Sequence, residues 1–402
     1  MSWEIKKLED ITTKIGDGLH GTPKYNENGD YFFINGNNFI QGKVQIKQDT
    51  KRIDYDEYLK IKKQLNQQTL FVAINGTLGN VALYNDENVA LGKSACYLNV
   101  REDISRDFVR YVLEDENFQR YAQLFATGAT IKNLGLKAVR EFTFELPPLQ
   151  TQKRIASILS AYDNLIENNL KRIKLLEETA QNIYKEWFVN FRFPNYENTP
   201  FNEETGLPEG WEKGSFYEYV DIMSGGTPKT NTPEYYDGQI PFYTPKDASS
   251  NPYIYIKNTE KKITEVGLQK CNSKLYPQNT VFITARGTVG KVNLAMRPMA
   301  MNQSCYALKF KQNHSQFFLL ATTFEAVEII KKTATGGVFD TIVVDTFKRI
   351  PIVYPNNEVI VDYHNFVEPI FQQTIKIQEQ INLLKEARDV LLPRLMNRTI
   401  EV

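Results

Sequence analysis

The stretch ITARGTVGK (residues 283–291) repeats, in longer form, the stretch AINGTLGN (residues 73–80). In both, a short apolar run leads into Gly-Thr-aliphatic-Gly. A phosphate-binding loop is excluded, because that motif needs four residues between its glycines and a Ser or Thr after its Lys. Here Gly287 and Gly290 enclose two residues, and the first stretch contains no Lys. The duplication therefore needs an explanation other than nucleotide binding.

Further matches occur in the same order in both halves of the chain. The matched pairs, with their separations in residues, are Trp3 and Trp211 (208), Thr22 and Thr227 of the two Gly-Thr-Pro-Lys stretches (205), Cys96 and Cys305 (209), and Ala-Thr-Gly at 126–128 and 334–336 (208). Self-similarity at a fixed separation is the signature of a repeated structural unit. The sequence therefore predicts two similar domains in one chain.

Each half begins with short β-branched and aromatic runs separated by Gly, Asn, Asp and Pro, a pattern typical of strands. Examples are DYFFING, TLFVAIN and VALYN in the first half and QIPFYT, TVFITA and KVNLAM in the second. Proline then ends the strand region, in FELPPLQ and in PIVYPNN. A long helical pattern follows in both halves.

Both helical patterns carry a heptad seam, with apolar residues at alternating steps of four and three. The predicted seam residues are Ile155, Leu159, Tyr162, Ile166, Ile173, Leu176 and Ile183 in the first helix, and Ile370, Ile377, Ile381, Leu384, Leu391 and Leu395 in the second. Asn169 and Thr374 interrupt the seams, and we expect them to fix the register. We also expect Pro369 to kink the second helix. The alternative is that each helix only covers its own domain.

These patterns predict an α+β fold with an internal pseudo-two-fold repeat. Two similar domains, at 1–150 and 195–356, are joined by two long helices, at 151–194 and 357–402. Two copies of a domain-then-helix unit can pack as a homodimer would, so we expect an antiparallel coiled coil.

Taken together, the motifs resemble those of the specificity subunits of type I restriction–modification systems. The resemblance covers essentially the whole chain and rests on WEIKKLEDI, GDGLHGTPKY, NGTLGN, ATGATIKNL and ELPPLQTQKRIASIL, followed by their second copies. The second half departs from the pattern at its exit, which lacks Pro-Pro-Leu, and at ATGGVFDTI.

The resemblance implies two target-recognition domains, each reading one half of a bipartite site in double-stranded DNA. It implies that the helices set the spacer and dock two methyltransferase subunits, which carry S-adenosylmethionine and methylate adenine. Restriction/translocase subunits would complete the complex. This chain itself would have no catalytic residue, cofactor or metal.

The repeated loops supply the candidate DNA contacts. Basic side chains commonly meet phosphates or guanine edges. The candidates in or beside these loops are Lys24, Thr77, Lys93, Lys132, Asn133, Lys229, Lys246, Arg286, Thr288 and Lys291. For each, a solvated surface or turn role remains open. The glycines of Gly-Thr-aliphatic-Gly are expected to supply permissive φ angles.

Composition limits the other possibilities. The chain has 48 basic and 48 acidic residues, so DNA binding requires cations concentrated locally. Three cysteines and three histidines, widely spaced, fit a reducing cytoplasm and no structural zinc. No apolar run is long enough for a membrane span. Two rival readings stay open: a coiled-coil scaffold without DNA, and a nuclease using Asp247, Glu260 and Lys262.

Overall fold

A computed structural model describes residues 3–129, 132–312, 315–333 and 341–402. It divides into two compact units, the first formed by Met1–Glu167 with Asn382–Val402 and the second by Asn168–Ile381. Each unit thus contains an α+β domain and a segment of both long helices. The second Ala-Thr-Gly stretch, 334–336, lies outside the described residues.

The main sheet of the first unit has six strands among its described residues. In spatial order they are Thr12–Asp17, Ala95–Val100, Thr69–Ala73, Val81–Leu83, Gly42–Val44 and Phe39–Ile40. A second sheet orders Arg52–Ile53, Tyr31–Ile34 and Val89–Leu91, and a third pairs Glu4–Lys7 with Thr143–Leu146. Every residue of Ala95–Val100 is buried, as expected for a central strand covered on both faces.

Short helices pack around these sheets. They are Tyr55–Ile61, Arg106–Glu114, Glu116–Phe125 and Leu136–Glu141, with 3-10 turns at Leu8–Ile11 and Gly36–Asn38. Ser105 caps Arg106–Glu114 by accepting a hydrogen bond from the Phe108 amide. Phe108 and Leu113 are fully buried, so this helix supplies much of the unit's core.

The second unit repeats the arrangement. In its described part, the main sheet orders Val220–Ser224, Cys305–Phe310, Val281–Thr284, Val292–Ala295 and Tyr255–Ile256. A second sheet orders Lys262–Ile263, Tyr236–Tyr243 and Ala300–Met301, and Glu212–Ser215 pairs with Pro351–Tyr354. Its shorter helices are Phe216–Tyr219, Pro245–Ser250, Glu265–Gln269, Gln316–Thr333 and Val344–Lys348, with 3-10 turns at Tyr196–Asn198 and Pro233–Tyr235.

The first four strands of the two main sheets follow one another in the same spatial and chain order. Thr12–Asp17 corresponds to Val220–Ser224, and Ala95–Val100 to Cys305–Phe310. The prediction of an α+β fold with an internal repeat is therefore confirmed.

The central helix spans Leu149–Tyr184 and continues as a π-helical turn at Lys185–Val189. The C-terminal helix spans Asn357–Met396, so the two begin 208 residues apart. Inside the first unit, Asp163 contacts Arg388 and Ile155 shares a hydrophobic cluster with Leu395.

Inside the second unit, the Tyr363 hydroxyl donates to the carbonyl of Ala180 at 3.5 Å. In both units, therefore, residues early in one helix meet residues late in the other, and the predicted antiparallel pairing is confirmed.

Every predicted seam residue is buried or half-buried, whereas Leu165, Leu175 and Leu383 on the same helices are more than half exposed. The two polar seam residues bond within their own helices. The Thr374 hydroxyl donates to the Ile370 carbonyl, and Asn169 accepts from Arg172. The C-terminal helix is continuous through Pro369.

Candidate nucleic-acid interface

The two Gly-Thr-aliphatic-Gly stretches form the same tight turn. The φ angles are 73° at Gly76, 87° at Gly79 and 78° at both Gly287 and Gly290. Glycine is the residue that reaches this region at little cost. In each turn the last glycine's amide donates back to the strand before it, from Gly79 to Ala73 at 2.8 Å in the first unit. The equivalent bond in the second unit, from Gly290 to Thr284, measures 2.9 Å.

Ser94 joins three loops at one end of the first unit's main sheet. Its carbonyl accepts from the Ile74 amide at 3.0 Å, and its hydroxyl donates to Asn35 Oδ1 at 2.8 Å. The same hydroxyl accepts from the Gly36 amide at 3.1 Å. A fourth loop is attached by the Leu134 amide, which donates to the Ile74 carbonyl at 2.8 Å. We call this group of loops the first loop face.

Ser304 occupies the equivalent place in the second unit. Its carbonyl accepts from the amides of Ala285 and Arg286, at 2.8 and 3.2 Å. The Ile342 amide donates to the Ala285 carbonyl at 2.9 Å, as Leu134 does to Ile74. Thr227 of the Gly-Thr-Pro-Lys stretch bonds to the side chain of Gln303. This second loop face repeats the backbone bonds of the first.

The predicted contact residues of the first unit are all exposed. Lys93 directly precedes Ser94 and has no ion-pair partner in the part of the chain that the structure describes. The backbone amide of Lys24 donates to Glu57 at 3.1 Å, and Lys132 Nζ donates to the Gln123 side chain at 3.0 Å. Asn133 exchanges two backbone hydrogen bonds with Thr127, at 2.7 and 2.9 Å.

Thr77 lies at the tip of the first glycine turn, where its carbonyl accepts from the Asn80 amide at 3.2 Å. The first loop face therefore includes the loops that carry Thr77, Lys93 and Asn133.

In the second unit, Lys229, Arg286 and Lys291 are exposed and have no ion-pair partner among the described residues. Lys246 differs, because its ammonium pairs with Glu260 at 2.7 Å. The Thr288 hydroxyl accepts from Ser249 at 2.6 Å. Arg286 and Lys291 flank the glycine turn of the second loop face, so their charges are free to meet a phosphate or a base edge. The contact role of all these residues stays a prediction.

Sequence reasoning missed the residues that hold the loops. They are Ser94 and Asn35, which act through their side chains, and Ser304, which acts through its backbone carbonyl. Ser94 and Ser304 open the matched stretches SACYL and SCYAL, which sequence analysis used only for their cysteines. The repeat signal that locates these serines was therefore already present in the sequence.

The nuclease hypothesis needs Asp247 as a metal-binding carboxylate, and the structure uses that carboxylate elsewhere. Asp247 is buried, and its Oδ2 accepts from both the amide and the hydroxyl of Thr244 as part of a helix cap. Its Oδ1 accepts from the Glu260 amide at 2.7 Å. Both oxygens are thus committed to backbone and cap bonds, and Glu260 itself pairs with Lys246. Within the described ranges, no group of acidic, His or Cys side chains has the geometry of a metal site.

A cavity of about 600 Å³ in the second unit lies beside the second glycine turn. Glu177 of the central helix, Tyr253 and Lys291 are among its lining residues. The Ile254 amide donates to Glu177 Oε1 at 3.2 Å. Burial nevertheless dominates and raises the pKa of Glu177 to about 7. This helix face therefore carries an acid that titrates near neutral pH.

Among the helices described, none is long and apolar enough to cross a membrane.

Comparison with known proteins finds the same twofold repeat that the structure shows. Residues 1–178 and 208–385 each match the family described as "Type I restriction modification DNA specificity domain". The two matches cover most of the chain and correspond to the two repeats. The chain therefore belongs to this family of DNA-specificity proteins.

Two relatives align over most of their length. The type I restriction enzyme MjaIX specificity subunit of Methanocaldococcus jannaschii is 24% identical, covering 98% of this chain and 92% of the relative. The HindI specificity subunit of Haemophilus influenzae is 23% identical, covering 73% of this chain and 77% of the relative. The crystal structure of the type I S subunit from M. genitalium has a TM-score of 0.58 at 17% identity, over 98% of this chain and 96% of that one. It supports the fold.

Proposed function

We propose that this chain is the specificity subunit of a type I restriction–modification complex, and that each unit reads one half of a bipartite site in double-stranded DNA. The observation that carries the proposal is the pair of loop faces. Each is held by the same backbone bonds, to Ser94 in one unit and to Ser304 in the other. A rigid framework that recurs with different exposed side chains suits two readers of different sequences.

The side chains on these faces match the chemistry of duplex recognition. Exposed ammonium groups such as Lys93 and Lys291 suit phosphates, which position a protein without reading sequence. The guanidinium of Arg286 can bind O6 and N7 of guanine with two hydrogen bonds. Thr77, Asn133 and Thr288 offer neutral donors and acceptors for base edges or phosphates. Specificity would come from Arg286 and this neutral group.

The chain would act in a larger complex. Two methyltransferase subunits, loaded with S-adenosylmethionine, would dock on the two long helices and methylate adenine. Restriction/translocase subunits would cut DNA that lacks the mark. The helices would hold the two readers at a fixed spacing, and the chain would itself perform no reaction. Because such a complex would act on chromosomal DNA, we propose that the chain works in the cytoplasm.

Mapping methylated adenines across the genome tests the proposal. With the gene present, we expect a split motif of two defined halves separated by a fixed number of unspecified bases. Deleting the gene should remove that motif and leave others unchanged. A motif that persists after deletion, or a continuous motif, would contradict the proposal. Loss of a non-DNA scaffold would leave the methylation map as it was.

A further inference from the structure

Within the first unit, a largely desolvated ionic cluster joins helix Arg106–Glu114 to both long helices. Arg110, on helix Arg106–Glu114, binds Glu114 at 2.9 Å and Asp163 of the central helix at 2.5 Å. Asp163 also accepts from Arg388 of the C-terminal helix at 2.7 Å and from the Tyr111 hydroxyl at 2.7 Å. We call Arg110, Glu114, Asp163 and Arg388 the ionic joint.

The ionic joint is complete only when all four groups are present. It contains two guanidinium groups and two carboxylates, and Arg388 also pairs with the more exposed Asp389 at 2.8 Å. The side chain of Arg110 is 9% exposed and that of Asp163 is 17% exposed. Burial by itself would raise the pKa of Asp163, but Arg110, Arg388 and Tyr111 outweigh it and hold that pKa below its usual value. Removing Arg388 would leave an excess negative charge in a poorly solvated place.

The repeat identifies the counterpart of each member in the second unit. Helix Gln316–Thr333 has a serine cap, Ser315, which accepts from the Phe318 amide as Ser105 accepts from Phe108. That alignment places Leu320 where Arg110 stands and Phe324 where Glu114 stands. The offset of 208 between the long helices places Phe371 at the position of Asp163 and Ala180 at that of Arg388.

The counterparts form an entirely apolar joint. Leu320, Phe371 and Ala180 are at most 3% exposed and belong to one hydrophobic cluster, against which Phe324 packs. Phe371 stacks on Phe317 with ring centroids 4.3 Å apart. Equivalent positions of a duplicated chain thus carry opposite chemistry. In one unit charge meets charge, and in the other apolar surface meets apolar surface.

We infer that the ionic joint and the apolar joint form a pairing code, which makes the central helix accept the C-terminal helix and reject a copy of itself from a second chain. If two central helices paired by the same symmetry, Asp163 would lie opposite Ala180. If two C-terminal helices paired, Arg388 would lie opposite Phe371. The first pairing leaves Asp163 without Arg388 and the second leaves Arg388 without Asp163, so only the pairing of unlike helices completes both joints.

Such a code would prevent similar units of different chains from pairing with each other. The central helix is synthesised before the C-terminal helix exists, so its seam is first exposed to the seams of neighbouring chains. Misassembly and domain swapping between similar units are common failures of repeat and multidomain proteins. A polar group that specifies partner and register in a helix pair is a well-attested use of buried polar residues.

The test compares the full-length chain with a variant whose ionic joint is replaced by its apolar counterpart, R110L/E114F/D163F/R388A. Both are unfolded in denaturant, refolded over a range of protein concentrations and analysed by size-exclusion chromatography with light scattering. We expect the wild type to return as monomer. The variant should give a dimer fraction that rises with concentration and exceeds the wild-type fraction at least tenfold. R101L/D103L, which removes an exposed ion pair of the same unit, is the control and should behave as wild type.

A second experiment does not need the fourfold variant to fold. It uses two single variants, D163R and R388D, which carry like charges at positions 163 and 388, both positive in the first and both negative in the second. The central helix of the D163R chain matches the C-terminal helix of the R388D chain, because the introduced arginine then faces the introduced aspartate. Refolded together, the two chains should form a heterodimer by exchange of helices, detected by native mass spectrometry of differently labelled chains. Dimer formation in the wild type, or no more heterodimer in the mixture than dimer in each chain alone, would overturn the inference.

Discussion

Ser94 and Ser304 show how single residues build both loop faces. Each serine offers its carbonyl to the amide of the residue that follows a central strand, and each thereby positions the glycine turn beside it. In the first unit the Ser94 hydroxyl adds bonds to Asn35 and Gly36. The exposed cations next to these anchors have fixed backbones, so each can address a definite position on bound DNA.

Lys93→Ala tests the phosphate role at this scale. Loss of one phosphate contact should weaken binding to every duplex and reduce the slope of log affinity against log salt by about 0.9. Fluorescence anisotropy across salt concentrations, with the chain bound to its methyltransferase subunits, measures both quantities. Lys6→Ala, in the separate two-stranded sheet and paired with Glu4, is the matched control. An unchanged salt slope, with weaker binding to only one sequence, would show that Lys93 reads a base instead.

Glu177→Gln tests the consequence of a raised pKa. Below pH 4.5 the carboxyl group is protonated in both the folded and the unfolded chain. Between pH 4.5 and about 7 the unfolded chain releases the proton while the folded chain retains it, so stability falls as pH rises. The variant keeps an oxygen for the Ile254 amide and lacks this penalty.

We therefore expect Glu177→Gln to raise the free energy of unfolding at pH 8 by on the order of 1 kcal/mol, so that it unfolds at a higher temperature than wild type. At pH 4.5 the two should unfold at the same temperature. Thermal unfolding followed by circular dichroism at both pH values checks this. Glu178→Gln, exposed and paired with Lys174, should give no pH-dependent difference. Equal gains at both pH values would assign the effect to packing rather than to ionisation.

For individual residues, the sequence predicted only part of the observed contacts. The glycines of the turns were predictable, because a duplicated Gly-Thr-aliphatic-Gly already implies a required backbone conformation. The partners of Asp163 were not, since those bonds join residues far apart in the chain. Asp163 meets Arg388 across 225 residues, and no local pattern encodes that contact.

The long helices are the elements most fully predicted by sequence. A heptad seam over many turns leaves little freedom, and the predicted seam residues are all buried or half-buried. The expected register-fixing role of Asn169 and Thr374 stays a prediction, and the hydrogen bonds described for both residues run along their own helices. We assign the register-fixing role to the charges of Asp163 and Arg388. Arg388 lies at a position of the apolar seam, where a charged residue interrupts the heptad pattern.

Lengthening both helices tests their role as a spacer. The antiparallel contacts flank the middle of the pair, so a matched insertion of four residues after Lys174 and after Asn382 keeps those contacts in register. Four residues add about 6 Å of rise and about 400° of rotation, which is close to a whole turn. The methylated motif should keep both halves and gain about two unspecified bases, at roughly 3.4 Å per base pair.

A matched insertion of two residues is the control for this change. It rotates the apolar seam by about 200°, away from its partner, so that variant should lose thermal stability. An unchanged spacer in a folded, active four-residue variant would show that the gap is set elsewhere in the complex.

For the whole molecule, a net charge of zero is a poor guide to its partner. The 48 acidic residues balance the 48 basic ones overall, yet Lys93, Arg286, Lys229 and Lys291 stand without ion-pair partners in the described parts of the loop faces. Many acids instead pair elsewhere, as Glu260 does with Lys246 and Glu379 with Lys257. Composition could not reveal this distribution, because it depends on which loops the fold brings together.

The duplication is the property of the whole chain that sequence predicted best. Collinear matches at a separation near 208 residues established two units before any strand order was known, and the strand orders agree. The side chains that distinguish the two units, such as Lys132 with Asn133 in one and Arg286 with Lys291 in the other, lie on top of that shared framework. We therefore expect one chain to read two different half-sites.

The most direct test of that claim exchanges residues 1–150 for the corresponding segment of a relative with a different split motif. The methylated adenines of the resulting strain are then mapped across the genome. If the two domains read DNA independently, one half of the motif changes to the relative's half, while the other half and the spacer stay as in the wild type. A motif in which both halves change together, in a chain that still supports methylation, would contradict the claim.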